Sequence, residues 1–182
     1  LNLDTSPIDL AVVVQTAIEG VQLSADAKNI QMVAQLSSAT VLGDADRLQQ
    51  VLWNLLSNSI KFTPSGGLVE ISLEAIDSQA QIRVRDTGKG IRTEFLPYIF
   101  DRFHQGDSGT TKANQGLGLG LAIVRHLVEL HGGTVGAESP GEGKGTTMTV
   151  RFPLVSIPQE FTPPSDVKPT TFTSLNSSTD SA

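Results

Sequence analysis

Leu10, Val13, Val14, Ala17, Ile18 and Val21 recur at helical spacing and draw one apolar stripe near the start of the chain. Ser6-Pro7-Ile8-Asp9 ahead of the stripe has the form of a helix start: a serine cap, proline at the first helical position and an acid three residues after the cap. Past a polar break at residues 26–29, Ile30 to Leu36 is short and suits a strand. A second helix is predicted after Gly43-Asp44, from about Asp46 to Lys61, with Leu48, Val51, Leu52, Leu55 and Leu56 gathered on its core side. Val69 to Ile76 and Gln81 to Asp86 read as strands, the latter alternating Ile82 and Val84 with Arg83 and Arg85. Residues 104–116 are polar and rich in glycine, serine and threonine, the pattern of a mobile loop. A third helix is predicted over about Gly118 to His131, stopped by Gly132-Gly133. Thr134 to Ala137 and Thr146 to Phe152 form a closing pair of strands around a glycine-rich turn. Helix, strands, helix, strands in that order imply an α+β fold, a two-layer α/β sandwich in which one mixed sheet carries helices on one face.

The periodicity fades after Val155. Residues 156–182 hold eleven Ser or Thr, and five of the nine prolines lie at or after Pro153, a composition that buries too little surface to order itself. The expected organisation is a linker over 1–7, a folded domain over 8–154 and a Pro/Ser/Thr-rich tail or linker over 155–182. The sequence contains no cysteine, which excludes a disulfide framework and a thiolate metal site and fits a reducing compartment. A formal charge of −6 disfavours nucleic acid as a partner, because the phosphate backbone rewards clustered Lys and Arg. The longest apolar-looking run, Leu117 to Val124, is far short of the roughly 20 residues of a membrane helix, so this domain is expected to make no membrane contact and to be cytoplasmic.

Four stretches carry candidate chemistry. On a wheel of about 100° per residue, Asn58 and Lys61 fall within about 40° of Asn54, while the leucine stripe of the second helix gathers on another face. Carboxamide oxygens are hard neutral ligands suited to Mg²⁺, and a lysine beside them can meet phosphate, although Asn-x-x-x-Asn alone is usually a solvated helix face. Asp86-Thr87-Gly88-Lys89-Gly90-Ile91 follows a strand and places a carboxylate where bare backbone lets a ligand approach; a tight capped turn is its ordinary meaning. Gly116-Leu117-Gly118-Leu119-Gly120 opens a helix, where converging N–H groups favour an anion. Gly141-Glu142-Gly143-Lys144-Gly145-Thr146 mimics a phosphate loop but lacks its Lys-Ser/Thr ending, and reads as a hairpin turn with Thr146 placed to reach a ligand. His104, His126 and His131 show no metal-ligand spacing, and no G-x-S-x-G elbow is present.

Taken in order, QVLWNLLSNSIKFTPSGG, RDTGKGI, IFDRFHQGD, GLGLGLAIVRHLVELHGG and GEGKGTTMTV resemble the N box, first G box, F box, second G box and third G box of the ATP-binding domain of sensor histidine kinases. That superfamily includes DNA gyrase, the mismatch-repair ATPases and the ninety-kilodalton heat-shock chaperone, and its shared architecture is the Bergerat fold. The five motifs span residues 49–150 in the family's order. KFTP and GLGLAIV are the marks of the histidine kinase branch, and FHQGDS followed by TTK is similar to hybrid kinases.

The resemblance implies ATP and Mg²⁺ as cofactors. It implies Asn58 as a metal ligand with Asn54 beside it, Lys61 at the phosphates, and Phe62 against adenine or ribose; Asn54, Asn58 and Lys61 are thereby the catalytic candidates. Asp86 is implied to accept from the adenine amino group, Gly88, Gly90 and Ile91 to shape the base pocket, and Thr146 to sit near the base. Phe100 and Phe103 are implied to anchor the near end of a closing loop, and Gly116, Leu117, Gly118, Leu119 and Gly120 to offer backbone N–H groups to phosphate. Ser59 stands where the family usually has alanine, a small-for-small change, and Gln105 where many members have arginine, which leaves Arg102 or Lys112 as phosphate contacts. A phosphorylatable-histidine segment is absent, so the implied partners are a dimerisation and phosphoacceptor domain of the same kinase and, indirectly, a response regulator or receiver domain. The isolated chain is expected to be a monomer. Two other readings stay open at this stage, a nucleotide-sensing module and a serine kinase of the same superfamily.

Overall fold

The computed structural model of the protein describes residues 2–101 and 117–155 of the 182. The elements run β1 (Ser6–Asp9), α1 (Leu10–Ala27), β2 (Gln31–Leu36), β3 (Thr40–Gly43), α2 (Ala45–Phe62), β4 (Leu68–Ile76), β5 (Gln79–Asp86), a short 3₁₀ turn (Leu96–Tyr98), α3 (Leu117–Leu130), β6 (Thr134–Glu138) and β7 (Thr146–Pro153). Five strands form one mixed sheet in the order β2-β4-β5-β7-β6, in which β2 and β4 are parallel and the other neighbours antiparallel. β1 and β3 make a separate antiparallel ribbon, linked to the end of β7 by a bridge between Val41 and Leu154.

The helix stripes explain the layering. All six apolar residues of the α1 stripe are buried, as are Leu48, Val51, Leu52, Leu55 and Leu56 of α2. They meet the inward side chains of the sheet, among them Val69, Ile71 and Leu73 of β4, Ile82 and Val84 of β5, and Met148, Val150 and Phe152 of β7, in one continuous core. The three helices cover this face, and the opposite face bears Glu70, Arg83, Arg85 and Arg151 at half-buried or exposed positions. The architecture is the two-layer sandwich the patterning implies.

The N-terminal residues differ from the expectation. Ser6–Asp9 is a strand, paired from Ser6–Gly43 to Asp9–Thr40, and α1 starts only at Leu10. Its cap is Asp9, whose carboxylate accepts the Ala11 N–H at 3.0 Å. A local cap pattern lost to a long-range pairing, because Thr40–Gly43, too short to show periodicity, offers Ser6–Asp9 a partner. Residues 104–116 and 156–182, expected to be loop and tail, lie outside the described residues.

Candidate functional site

Phase along β5 puts Asp86 in the core layer. Ala80, Ile82 and Val84 point inward, and Asp86 is next in that alternation, at the strand's end beneath α2. Register pairs it with Thr146 of β7. Its Oδ1 accepts the N–H groups of Gly88 at 2.8 Å and Thr146 at 3.2 Å, and only 7% of the residue is exposed. Burial pushes the Asp86 carboxyl above its ordinary range, and the bonds from Gly88, Thr146 and the Ser59 hydroxyl oppose that rise in part. A carboxylate kept this far from water, with both backbone donors on Oδ1, retains acceptor capacity for a ligand.

The cleft over Asp86 encloses about 430 Å³ including its open mouth. Asn58 and Phe62 from α2, Asp86 from β5, Gly90 and Ile91 from the connection after it, and Thr146 from β7 all line it. These are six of the residues the motifs single out, drawn from positions 88 residues apart. Leu55, Ser59, Lys89, Leu121 and Met148 complete the wall. Motif reasoning passed over these five. Ser59 had a visible signal: it is a polar residue on the apolar stripe of α2, 4% exposed, and it bonds the buried acid. Leu55, Leu121 and Met148 read simply as core, since a pocket wall and a core position have the same chemistry.

Two glycine-rich connections are stacked to shape the base of the cleft. The Gly143 N–H donates to the Lys89 carbonyl at 2.6 Å, and the Gly145 N–H to the Gly88 carbonyl at 3.0 Å. The Ser139 hydroxyl accepts the Ile91 N–H at 2.9 Å and donates to the Gly145 carbonyl at 2.8 Å, while Arg92 and Glu142 form an ion pair at 2.6 Å across the rim. Gly90 has φ +68°, and a Cβ there would strike the Gly141 carbonyl; Gly145 has φ +78°, and a Cβ there would strike the Asp86 carbonyl. Gly88 is absent from the wall and serves through its N–H and its closeness to the Phe62 carbonyl.

At the other end of the cleft α2 faces the start of α3. The position a Cβ would take on Gly120 lies 3.7 Å from the Asn58 Nδ2 and 4.0 Å from the Asn54 Oδ1, so this glycine leaves open the space between two carboxamides and a helix terminus. Leu117, Gly118, Leu119 and Gly120 make up the first turn of α3, where N–H groups have no partner within the helix. The Asn58 Nδ2 is buried with no hydrogen-bond partner. A half-turn of that amide would present its oxygen to the same point, so the carboxamide is a polar group that a ligand can satisfy. Among the described residues no group of three or more His, Cys, Asp or Glu gathers as a metal site. The donors present therefore fit a hard, largely hydrated cation such as Mg²⁺, held by carboxamides and a phosphate-bearing ligand.

Lys61 is exposed and stands outside the wall, with its Nζ 5.4 Å from the Phe62 ring centroid; the Lys89 Nζ is 4.6 Å from the same centroid. The cleft mouth is thus flanked by two ammonium groups where the sequence pointed to one. Phe100 is buried in the core. Phe103 and Gly116, with Arg102 and Lys112, lie outside the described residues.

A family model for the histidine kinase-, DNA gyrase B- and HSP90-like ATPases matches residues 43–156. The chain belongs to this family. Among curated relatives it is 34% identical over 187 aligned positions to hybrid signal transduction histidine kinase D of Dictyostelium discoideum, covering 85% of this chain and 12% of that protein. It is 36% identical to the sensor protein kinase PmrB of Pseudomonas aeruginosa, covering 81% of this chain and 30% of the relative. The chain thus spans less than a third of the length of either. Among solved structures, a mycobacterial sensor histidine kinase, MprB, aligns with TM-score 0.72 at 29% identity over 84% of this chain and 99% of that one. Full-length ShkA in complex with AMPPNP aligns with TM-score 0.74 at 32% identity, over 86% of this chain and 32% of that one. The sandwich is accordingly the Bergerat fold of histidine kinase catalytic domains, and the family is one of ATP-binding domains. No helix among the described residues is long and apolar enough to cross a membrane.

Proposed function

We propose that this chain is the ATP-binding catalytic domain of a two-component sensor histidine kinase, presenting the γ-phosphate of Mg-ATP to a histidine on a separate domain for later relay to a response-regulator aspartate. The observation that carries this reading is the cleft that runs from a buried carboxylate, Asp86, to the Asn58 carboxamide, beside which Asn54 of α2 and Gly120 at the start of α3 stand outside the wall itself. The adenine of ATP offers an amino donor to Asp86 and a flat face to Phe62, and the carboxamides and the first turn of α3 suit its phosphates. Likeness to named sensor kinases, and to one solved with an ATP analogue, supports the same assignment.

In this mechanism Asp86, Gly88, Gly90, Ile91 and Thr146 bind and orient the base, and Phe62 covers it. Asn58 and Asn54 would hold Mg²⁺, which would supply neutralisation of phosphate charge. Lys61 and the first-turn N–H groups of α3 meet the remaining negative charge. The domain's part in catalysis is positioning and electrostatic stabilisation, and the acceptor histidine and its base belong to the partner domain. By the same reading the isolated domain is a monomer that hydrolyses ATP slowly at most, and a single monomeric boundary in sedimentation velocity is the expected result.

The deciding experiment is calorimetric titration of a non-hydrolysable ATP analogue, with and without Mg²⁺, into the chain and into Asp86→Asn. Micromolar binding by the wild type, enhanced by Mg²⁺ and lost in Asp86→Asn, is expected. No binding by the folded wild type overturns the nucleotide reading. Mixing with a separate phosphoacceptor domain and labelled ATP then reads the acceptor chemistry: acid-labile label on histidine is expected, and acid-stable label on serine would overturn the kinase class.

A further inference from the structure

The last turn of α2 carries Lys61 and Phe62, and an α-helix ends with four carbonyls that have no partner within it. Here each has a named donor. The Ser59 carbonyl accepts the Thr63 hydroxyl at 2.6 Å, and the Phe62 carbonyl accepts the Lys89 N–H at 3.1 Å. The two between them, Ile60 and Lys61, both accept from the ammonium of Lys28, each at 2.9 Å. No left-handed glycine closes this helix: its C-cap, Thr63, is extended at φ −96° and ψ 124°, and Pro64 follows. Half of the terminal bonding of the site helix thus comes from one side chain more than thirty residues away.

The backbone around Lys28 is fastened at several points. Lys28 is the C-cap of α1, and its N–H bonds back to Ala25. The next residue, Asn29, adopts φ 55° and accepts the Gly66 N–H at 3.1 Å, and the Gln31 N–H donates to the Gly67 carbonyl at 3.0 Å. The turn after α1 is therefore fastened to the turn after α2, with the half-buried Lys28 ammonium between them at the negative end of the α2 dipole. A lysine here supplies charge and two bonds at once, which no backbone cap offers.

We infer that Lys28 is a positioning residue for the nucleotide site: by holding the Ile60 and Lys61 carbonyls it fixes the rotation of the final turn of α2, and so the place of the Phe62 ring over the cleft. This rests on the nucleotide reading above but adds to it a residue that lies outside the family-matched segment, which begins at 43. Losing the ammonium leaves two carbonyls to find water, and the turn that carries Phe62 loosens.

The test is a double-mutant cycle read by calorimetry with a non-hydrolysable ATP analogue, using ligand up to the millimolar range, together with thermal unfolding of every variant. Lys28→Met is expected to weaken binding about tenfold, while Lys28→Arg, which keeps a charged donor, stays within about threefold of wild type. In a Phe62→Ala background Lys28→Met is expected to cost little more, because the group it positions is gone. Unchanged affinity in a folded but less heat-stable Lys28→Met overturns the inference, and so does a full tenfold loss repeated in the Phe62→Ala background. If Lys28→Met shows no cooperative unfolding, Lys28→Gln, which retains an uncharged NH₂ donor group, is put through the same cycle with an expected loss of about threefold. Failure of the wild type to bind refutes the nucleotide reading itself, and is seen before any variant is compared.

Discussion

Asp86 is one carboxylate with two opposed demands on it. Its burial raises its affinity for a proton, so by linkage its ionisation costs the fold stability as pH rises through the raised value, and acid relieves that cost. A ligand amine, in contrast, needs the ionised form. Asp86→Asn keeps an oxygen able to accept from Gly88 and Thr146 and presents an NH₂ that the Ser59 hydroxyl can accept. The variant is therefore expected to unfold at or slightly above the wild-type Tm at pH 7 while losing at least about a hundredfold in nucleotide affinity, a separation that differential scanning calorimetry and titration calorimetry check together. In the wild type, analogue affinity is expected to fall as the pH drops, by up to about tenfold per unit below the raised value, with the onset above the usual carboxylate range. An affinity flat from pH 7 down to 4 would remove Asp86 from ligand contact. At this scale the sequence was most legible for residues whose type is rare in its place: a carboxylate at a strand end, carboxamides on a helix, glycines in series. It marked Ser59 only as a polar residue on an apolar stripe and was mute on the wall position of Lys89. Their part in the cleft depends on which elements the fold stacks, and Leu55, Leu121 and Met148 carry no mark that separates wall from core.

The stacked glycine connections behave as one element. Their bonds run between loop backbones and the Ser139 hydroxyl, which serves the Ile91 N–H and the Gly145 carbonyl at once. Ser139→Ala leaves both groups to less favourable partners and is expected to cost about 1–2 kcal/mol in denaturant unfolding, with a several-fold loss in analogue affinity because Ile91 is part of the wall. Gly90→Ala asks for a left-handed alanine and a collision with the Gly141 carbonyl, so a cost of about 2–3 kcal/mol and parting of the loops are expected, checked by urea unfolding. Helices and central strands were legible in the sequence because periods of 3.6 and 2 persisted over eight residues or more. The β1–β3 ribbon was not. Each of its strands has four residues, and the Ser-Pro-x-Asp of β1 carries a genuine cap signal that the pairing with β3 overrides. Asp9 still caps α1, so the cap is displaced from Ser6 to Asp9 where local and long-range preferences compete.

Across the whole molecule, Asp44 is the point where parts far apart in sequence are tied. Its carboxylate accepts the Asp46 and Arg47 N–H groups at the start of α2 through one oxygen and the Asp4 N–H from the chain's beginning through the other. Its own N–H donates to the Nε2 of His131, whose Nδ1 lies 2.7 Å from the Leu127 carbonyl, so the end of α3 is fastened there as well. The bond from Asp4, opposed by desolvation and helped by the Arg47 and Asp46 bonds, holds the Asp44 carboxyl below its ordinary value of 3.8. The sign is therefore opposite to that of Asp86. Stability from Asp44 is fully present above the ordinary carboxylate range and is lost as pH falls through the lowered value. Asp44→Ala is expected to lower Tm by several degrees at pH 7 and to unfasten the residues before β1, seen as faster amide exchange at Asp4, Asp46 and Arg47. As pH falls from 5 to 3 the difference in Tm between wild type and Asp44→Ala should narrow, since the wild type alone loses this contribution. Because the tie sits at the opposite end of α2 from Phe62, nucleotide affinity at pH 7 and 20 °C is expected to change less than about twofold. A large loss of affinity with an unchanged Tm would mean that the start of α2, and not only its end, governs the cleft.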